Sequence, residues 1–221
     1  MFEELNSLFE SPTIKPSFEK VHVILALFIF EENEDGIGRY RLQKELLIGS
    51  GTARSLIRKL NENINFITVL SDEKGHILTD AGQDFVKKLK QRILLIEEGD
   101  ISVFKEIIIK SENNKSYFCL VRNGADKILN GIEQRDAAIK VGGIGATCLL
   151  YNGKDLIFPS QSLSKSEHNK IKVEDHIFDY VSKLINNKNS KLRENDVIII
   201  GLGGSLEKAR LAALNAAFTL L

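Results

Sequence analysis

The tightest constraint on the fold lies in LLIGSGTARSLIRKL, residues 46–60, where a glycine-flanked break separates two apolar periodicities. Ala53, Leu56, Ile57 and Leu60 fall on the stripe that an α-helix buries along one side. The opposite side carries Ser50, Thr52, Arg54, Ser55 and Arg58, hydroxyls and guanidinium groups with no acid among them. Such a side suits phosphates and base edges. Upstream, RYRLQKELLI repeats the periodicity at Leu42, Leu46 and Leu47, and Gly49-Ser50-Gly51 supplies a tight turn between two short helices. Downstream, residues 66–70 and 76–78 are β-prone runs around a polar turn at 71–75, which predicts a hairpin. Thr79 then caps a further helix, with Asp80 in its first turn.

Helix, turn, helix, hairpin, helix is the order of a winged helix. Leu42, Glu45 and Leu46 fit an L-x-x-E-L helix. Thr52 to Leu60 fit T-x-R-x-L-x-R-K-L, and Lys74 to Gly82 fit a K-G-H-x-L-T-x-x-G wing. On these motifs residues 21 to about 89 resemble the winged helix-turn-helix domain of bacterial and archaeal transcription regulators. The whole chain, with GIEQRDAAIKVGGIGATCLLY further on, also resembles a family of uncharacterised archaeal proteins that join a winged helix to a second α/β domain. That second resemblance implies an architecture and no activity.

Charge is distributed unevenly. Residues 1–100 hold 17 acids and 13 bases, a net −4, so this half is not globally basic. Residues 36–60 reverse the balance, with Arg39, Arg41, Lys44, Arg54, Arg58 and Lys59 against Glu45. A basic footprint confined to one face is what DNA meets. The candidate DNA contacts are therefore Arg39, Arg41, Ser50, Thr52, Arg54, Ser55, Arg58 and Lys59, with Lys74 and His76 at the hairpin tip. Few phosphate contacts imply weak, salt-sensitive binding, which dimerisation would strengthen. Phe85, Leu89, Ile93 and Ile96 offer a coiled-coil-like seam on one long helix, or a stripe packed on the winged helix itself or on the second domain. EEGD at 97–100 ends that helix and sets the boundary: a winged-helix domain with a linker helix at 1–99, and a second domain at 100–221.

With 221 residues, each half is long enough to bury a core of its own. The longest apolar run, residues 23–30, is far short of the roughly 20 residues that a membrane span needs. Neither a span nor a signal peptide is expected, and the two cysteines, Cys119 and Cys148, suit reduced core positions in a cytoplasmic protein.

From residue 102 the pattern alternates between strands and helices. Runs 103–109 and 116–121 predict a hairpin around SENNK. A helix at 132–141 stops at Gly142-Gly143 and leads through Gly145 into a strand at 147–151, with a return at 156–158. EDHIFDYVSKLI predicts an amphipathic helix, and a buried strand at 197–200 leads through a glycine turn into an alanine-rich helix from Leu206. The expectation is a C-terminal layered α/β domain with a mixed, mostly antiparallel sheet. The chain as a whole is then α+β/α/β.

Two places in this half are candidate ligand sites. Glu133, Arg135 and Asp136 open a helix beside Gly142, Gly143 and the strand residue Thr147, and Arg122 ends a strand expected to point toward them. Arginine at a glycine turn grips carboxylate or phosphate in bidentate fashion; a solvated helix face with local ion pairs is the bland alternative. The second place is Gly203, Gly204 and Ser205 between strand and helix, a candidate anion cradle or simply a turn needing glycine. It lacks the spacing of the dinucleotide and phosphate-loop motifs.

No catalytic motif, metal set or cofactor fingerprint emerges. The four histidines are scattered, and His22 suits a satisfied core position on an apolar helix. The expected function is a DNA-binding transcriptional regulator whose C-terminal domain binds a small, anionic effector or mediates dimerisation. A winged-helix protein-interaction module without DNA binding, or an enzyme on the C-terminal domain, are the alternatives. The expected partners are double-stranded DNA, a small-molecule effector and a second copy of the chain, with no membrane and no cofactor.

Overall fold

A computed structural model describes residues 2–10, 15–108, 113–159 and 171–221. The chain divides into two compact units, Met1–Lys90 and Gln91–Leu221. It is a mixed α+β protein, and no helix among the described residues is long and apolar enough to cross a membrane.

The first unit is built on α1 (Lys20–Glu31), whose residues Val21 and Val23 through Phe30 are all buried. A helix apolar all round must sit at the centre of its domain. His22 is half-buried at its first turn, where the ring Nδ1 accepts a hydrogen bond from the Glu19 backbone N–H at 3.0 Å. Burial holds its pKa below the ordinary histidine value, which keeps Nδ1 free to accept. This histidine is a helix cap rather than core filler.

Next come α2 (Arg39–Leu46) and α3 (Ser50–Glu62), and α3 buries Ala53, Leu56, Ile57 and Leu60. The break between them falls earlier than Gly49-Ser50-Gly51. Leu47 takes the left-handed conformation at φ 55°, and Ser50 and Gly51 already belong to α3. Strands β1 (Ile67–Ser71) and β2 (Gly75–Leu78) form the antiparallel hairpin, and Ile37 adds a bridge to His76 on the outer side of β2. Gly75 is obligatory there: at φ +83° a Cβ would stand 2.4 Å from the Ile37 carbonyl oxygen. Helix α4 (Asp80–Lys90) follows, with the Thr79 hydroxyl accepting from the Gly82 N–H at 3.2 Å.

The long linker helix is not there. Phe85 and Leu89 are buried on α4, the Phe85 ring lying 4.8 Å from that of Phe66, whereas Ile93 and Ile96 lie on strand β3 (Ile93–Gly99). A short apolar run such as ILLI fits helix or strand equally well, and a partner strand far along the chain decides. That partner is β4 (Lys115–Val121), antiparallel to β3. β3 thus belongs to the second unit, and the division falls at Lys90, not at 99. The segment expected to pair with β4, residues 103–109, is a series of turns through 107 that buries Phe104 and Ile108. Ile109 and part of SENNK lie outside the described residues.

The second unit holds α5 (Ile132–Lys140), β5 (Gly145–Tyr151), β6 (Leu156–Ile157), α6 (Asp175–Asn186), β7 (Val197–Gly203) and α7 (Leu206–Phe218). Its sheet has the order β3-β4-β7-β5-β6, antiparallel at every pairing. The central β7 is buried along its whole length. Val197 and Ile199 point into a layer with Ala138 of α5 and Ala212, Ala213, Ala216 and Ala217 of α7, while Ile198, Ile200 and Leu202 point to Phe104, Phe118 and the α6 residues Ile177, Val181 and Ile185. Cys119 and Cys148 both pair with Ile199 from opposite sides, so the width of β7 separates them by about 10 Å, too far for a disulfide.

Helix α7 approaches β7 so closely that a Cβ on Gly201 would stand 2.2 Å from the Ala213 nitrogen, whereas one on Gly204 would meet nothing within 4 Å. Gly201→Ala should therefore lower unfolding free energy by about 1–3 kcal/mol or more. Gly204→Ala should leave the urea midpoint nearly unchanged.

Candidate functional site

The candidate residues of the first unit gather on α2, α3 and the hairpin, but they are not equally available. Arg54 and Arg58 are exposed one turn apart on α3, and neither side chain has a hydrogen bond or ion pair among the described residues. Ser50 stands exposed in the first turn of α3, whose N-cap, Gly49, provides no side-chain cap. The first backbone N–H groups of α3 thus add positive potential to the same end. Ser55 is half-buried, and the Thr52 hydroxyl lies 2.7 Å from that of Ser17.

The other cations are partly engaged. Lys59 donates to the Leu8 carbonyl at 2.5 Å, which ties α3 to the 3-10 turn Glu3–Leu8. Arg41 forms an exposed ion pair with Glu45 at 2.9 Å, worth little and easily exchanged. Arg39 lies over the Tyr40 ring, 4.9 Å from its centroid, and donates to the Tyr40 hydroxyl at 3.2 Å. Lys74 is exposed at the hairpin turn. His76 is half-buried, its backbone pairs with Ile37, and burial lowers its pKa, so it brings no charge at neutral pH.

In the second unit, Arg122 is not beside Glu133, Arg135 and Asp136. It follows Val121, which pairs with Val197 at the start of β7, whereas Arg135 lies near Leu202 toward the other end. Its guanidinium is buried in an ion pair with Asp196 and also donates to the Lys191 carbonyl at 2.9 Å and the Ser190 hydroxyl at 2.7 Å. A strand end that must satisfy its loop recruits arginine for its five donors. Arg122 is a structural clamp.

Gly203 and Ser205 also have structural reasons, whereas Gly204 has neither a positive φ nor a close neighbour. A Cβ on Gly203 would stand 2.4 Å from the Ala209 nitrogen, and the Ser205 hydroxyl accepts from the Lys208 N–H at 3.3 Å as the cap of α7. The neighbouring Gly142-Gly143 turn ends α5. Gly142 has φ +87°, and a Cβ on Gly143 would stand 2.5 Å from that of Ala212.

What remains is a cleft of ≈ 310 Å³ at the N-terminal end of α5, lined on different sides by Arg135, Thr147, Gly131, Ile144 and Phe158, among others. Glu133 and Asp136 are exposed on α5 but do not line it. Arg135 donates through Nε and Nη2 to Asp136 Oδ1 at 3.0 and 2.8 Å. Thr147 Oγ1 makes a long contact of 3.4 Å with the Ile107 carbonyl. Of the ligand-site residues singled out in the sequence, Arg135 and Thr147 line this cleft, and its apolar walls were not among them. Ile107, Ile144 and Phe158 come from three separate loops, and only the Asn130-Gly131 pair ahead of α5 hinted at a special turn.

Arg122→Ala strands the Asp196 carboxylate, 1% exposed, without its cation. We expect a loss of about 3–5 kcal/mol in urea unfolding. Arg135→Ala, at an exposed pair, should cost less than about 1 kcal/mol.

Residues 112–220 match a domain of unknown function (DUF4443). No curated protein is similar enough in sequence to count as a match. Among solved structures, the hypothetical protein PH0730 from Pyrococcus horikoshii OT3 is similar over 92% of this chain and 93% of its own, with a TM-score of 0.65 and 23% identity. That likeness shows a shared fold along nearly the whole chain. Together the two matches agree with a resemblance to uncharacterised archaeal proteins, and neither names an activity.

Proposed function

We propose that the chain is a DNA-binding transcriptional regulator, with a winged helix in the first unit and an effector-binding or dimerising domain in the second. The observation that carries this reading is the pair Arg54 and Arg58, exposed on one side of α3 and unpaired among the described residues. Guanidinium groups held out on a helix without an acid partner match guanine edges and phosphates. The three-stranded arrangement of Ile37, β2 and β1, with Lys74 at its turn, fits a wing lying along the backbone. Two copies would place two α3 helices about one DNA turn apart. An effector that binds one spacing better than another would shift the population between them.

A second reading is favoured by Tyr40, 75% exposed, and by Leu47, Val69 and Leu70, all exposed on a unit whose residues 1–90 carry 14 acids against 12 bases, a net −2. Apolar side chains held in water suit a protein partner.

Genomic DNA fragments selected by the wild-type protein decide between the two. By fluorescence anisotropy, Arg54→Ala should lose about 1–3 kcal/mol and relax sequence preference. Arg58→Ala should weaken every sequence alike and reduce the slope of log affinity against log salt by about one. Lys74→Glu should weaken all sequences at low salt. If all three variants match the parent, α3 is not a reader of DNA and the protein-binding reading takes its place.

A further inference from the structure

We propose that the cleft beside α5 binds a small amphipathic carboxylate, with Arg135 holding the carboxylate and Ile107, Ile144 and Phe158 flanking its apolar body. This deepens the reading of the second unit as the effector-binding half and rests on it.

The volume, ≈ 310 Å³, lies at the lower end of small-molecule sites, which run from about 300 to 1,000 Å³. Its charge is one-sided. Among the described residues the lining contains a single cation, Arg135, and no aspartate or glutamate. Cys148, the other ionisable wall residue, is kept a neutral thiol because burial pushes its pKa up to about 12. The cleft also opens at the N-terminal end of α5, where the helix dipole favours negative charge. An anionic head therefore finds attraction there, and among the described residues its one competitor is Asp136, which lies outside the walls.

Arg135 is available for exchange. Its present partner, Asp136, is the adjacent residue, and the two side chains are 53% and 59% exposed. Such a pair contributes little, so a ligand carboxylate in the fork replaces it at small cost. A Cβ on Gly145 would lie 3.6 Å from Arg135 Cγ, an ordinary contact, so the arginine stem runs alongside this backbone. Gly131, at φ +78°, keeps a second wall free of any side chain beside Cys148 and Pro159.

The apolar half of the ligand is asked for by the walls. Ile107, Ile132, Ile144, Phe158 and Leu202 surround the space, and Ile132 and Ile144 remain 48% and 40% exposed. A purely polar anion such as phosphate would leave those surfaces wet. An acyl chain or aryl group would cover them.

The test uses the full chain and two probes with one tail and opposite heads, octanoate and octylamine, followed by calorimetry and by amide shifts in NMR. Octanoate is expected to bind and to shift residues 130–135 and 144–148, while octylamine does not. Arg135→Ala should weaken octanoate binding roughly tenfold or more, and Arg135→Glu should abolish it. Ile144→Ser, which keeps the arginine, should weaken it less. Equal binding of the two probes, or octanoate binding unchanged in Arg135→Ala, overturns the proposal. So does a change in sedimenting mass on Arg135→Ala, since the face would then join copies. Arg54→Ala should bind octanoate as the parent does. If the protein binds no DNA yet takes octanoate through Arg135, the regulator reading falls and the carboxylate site stands.

Discussion

Burial of β7 on both faces is the condition from which the second unit follows. A strand covered on one side by the alanines of α7 and on the other by α6 must be apolar at every position, and VIIIGLG is. Alternation then assigns each residue a layer. Where the close helix leaves no room for a side chain, at Gly201 and Gly203, the strand supplies none. The sheet grows outward from this strand, β4 on one side and β5 on the other. The cleft takes shape where β5, the end of β7 and α5 come together.

The two candidate regions differ in how their chemistry is presented. On α3 the functional groups project from one rigid helix, and their usefulness depends on what they do not touch. In the cleft the groups come from separate segments around a concave wall. A helix surface of that kind suits a large, regular, highly charged partner. An open cleft with one cation among its described walls suits a small one. The two regions lie in different units, so selection could alter either without rebuilding the other.

Legibility in the sequence followed the distance over which each element is decided. α3, the hairpin, α5, β5, α6, β7 and α7 show in their own periodicity, because each buries one stripe, one face or a continuous run. β3 did not, for its four apolar residues acquire a period only from β4, beyond a long stretch of turns. The same holds for the candidate sites. Arg54 and Arg58 are visible from helical spacing alone, whereas Arg122 looked like a neighbour of Arg135 because sequence proximity says nothing about which end of a sheet a residue occupies. Asp196, the true partner of Arg122, stands just before the neighbouring strand β7, far along the chain. The walls of the cleft were illegible for the same reason.

The position of β7 along the chain also governs the order in which structure can form during synthesis. The first unit draws its contacts from residues that emerge together, so it can fold while the rest is still being made. The second unit cannot. β4 and β5 have no common neighbour until residues 197–203 arrive, after every other strand has been waiting with unpaired edges. Closing loops of that length is slow, and exposed strand edges invite pairing with the wrong chain. The nascent second half is therefore the part of this protein that most needs a chaperone, and slow translation just upstream of β7 would prolong the hazard.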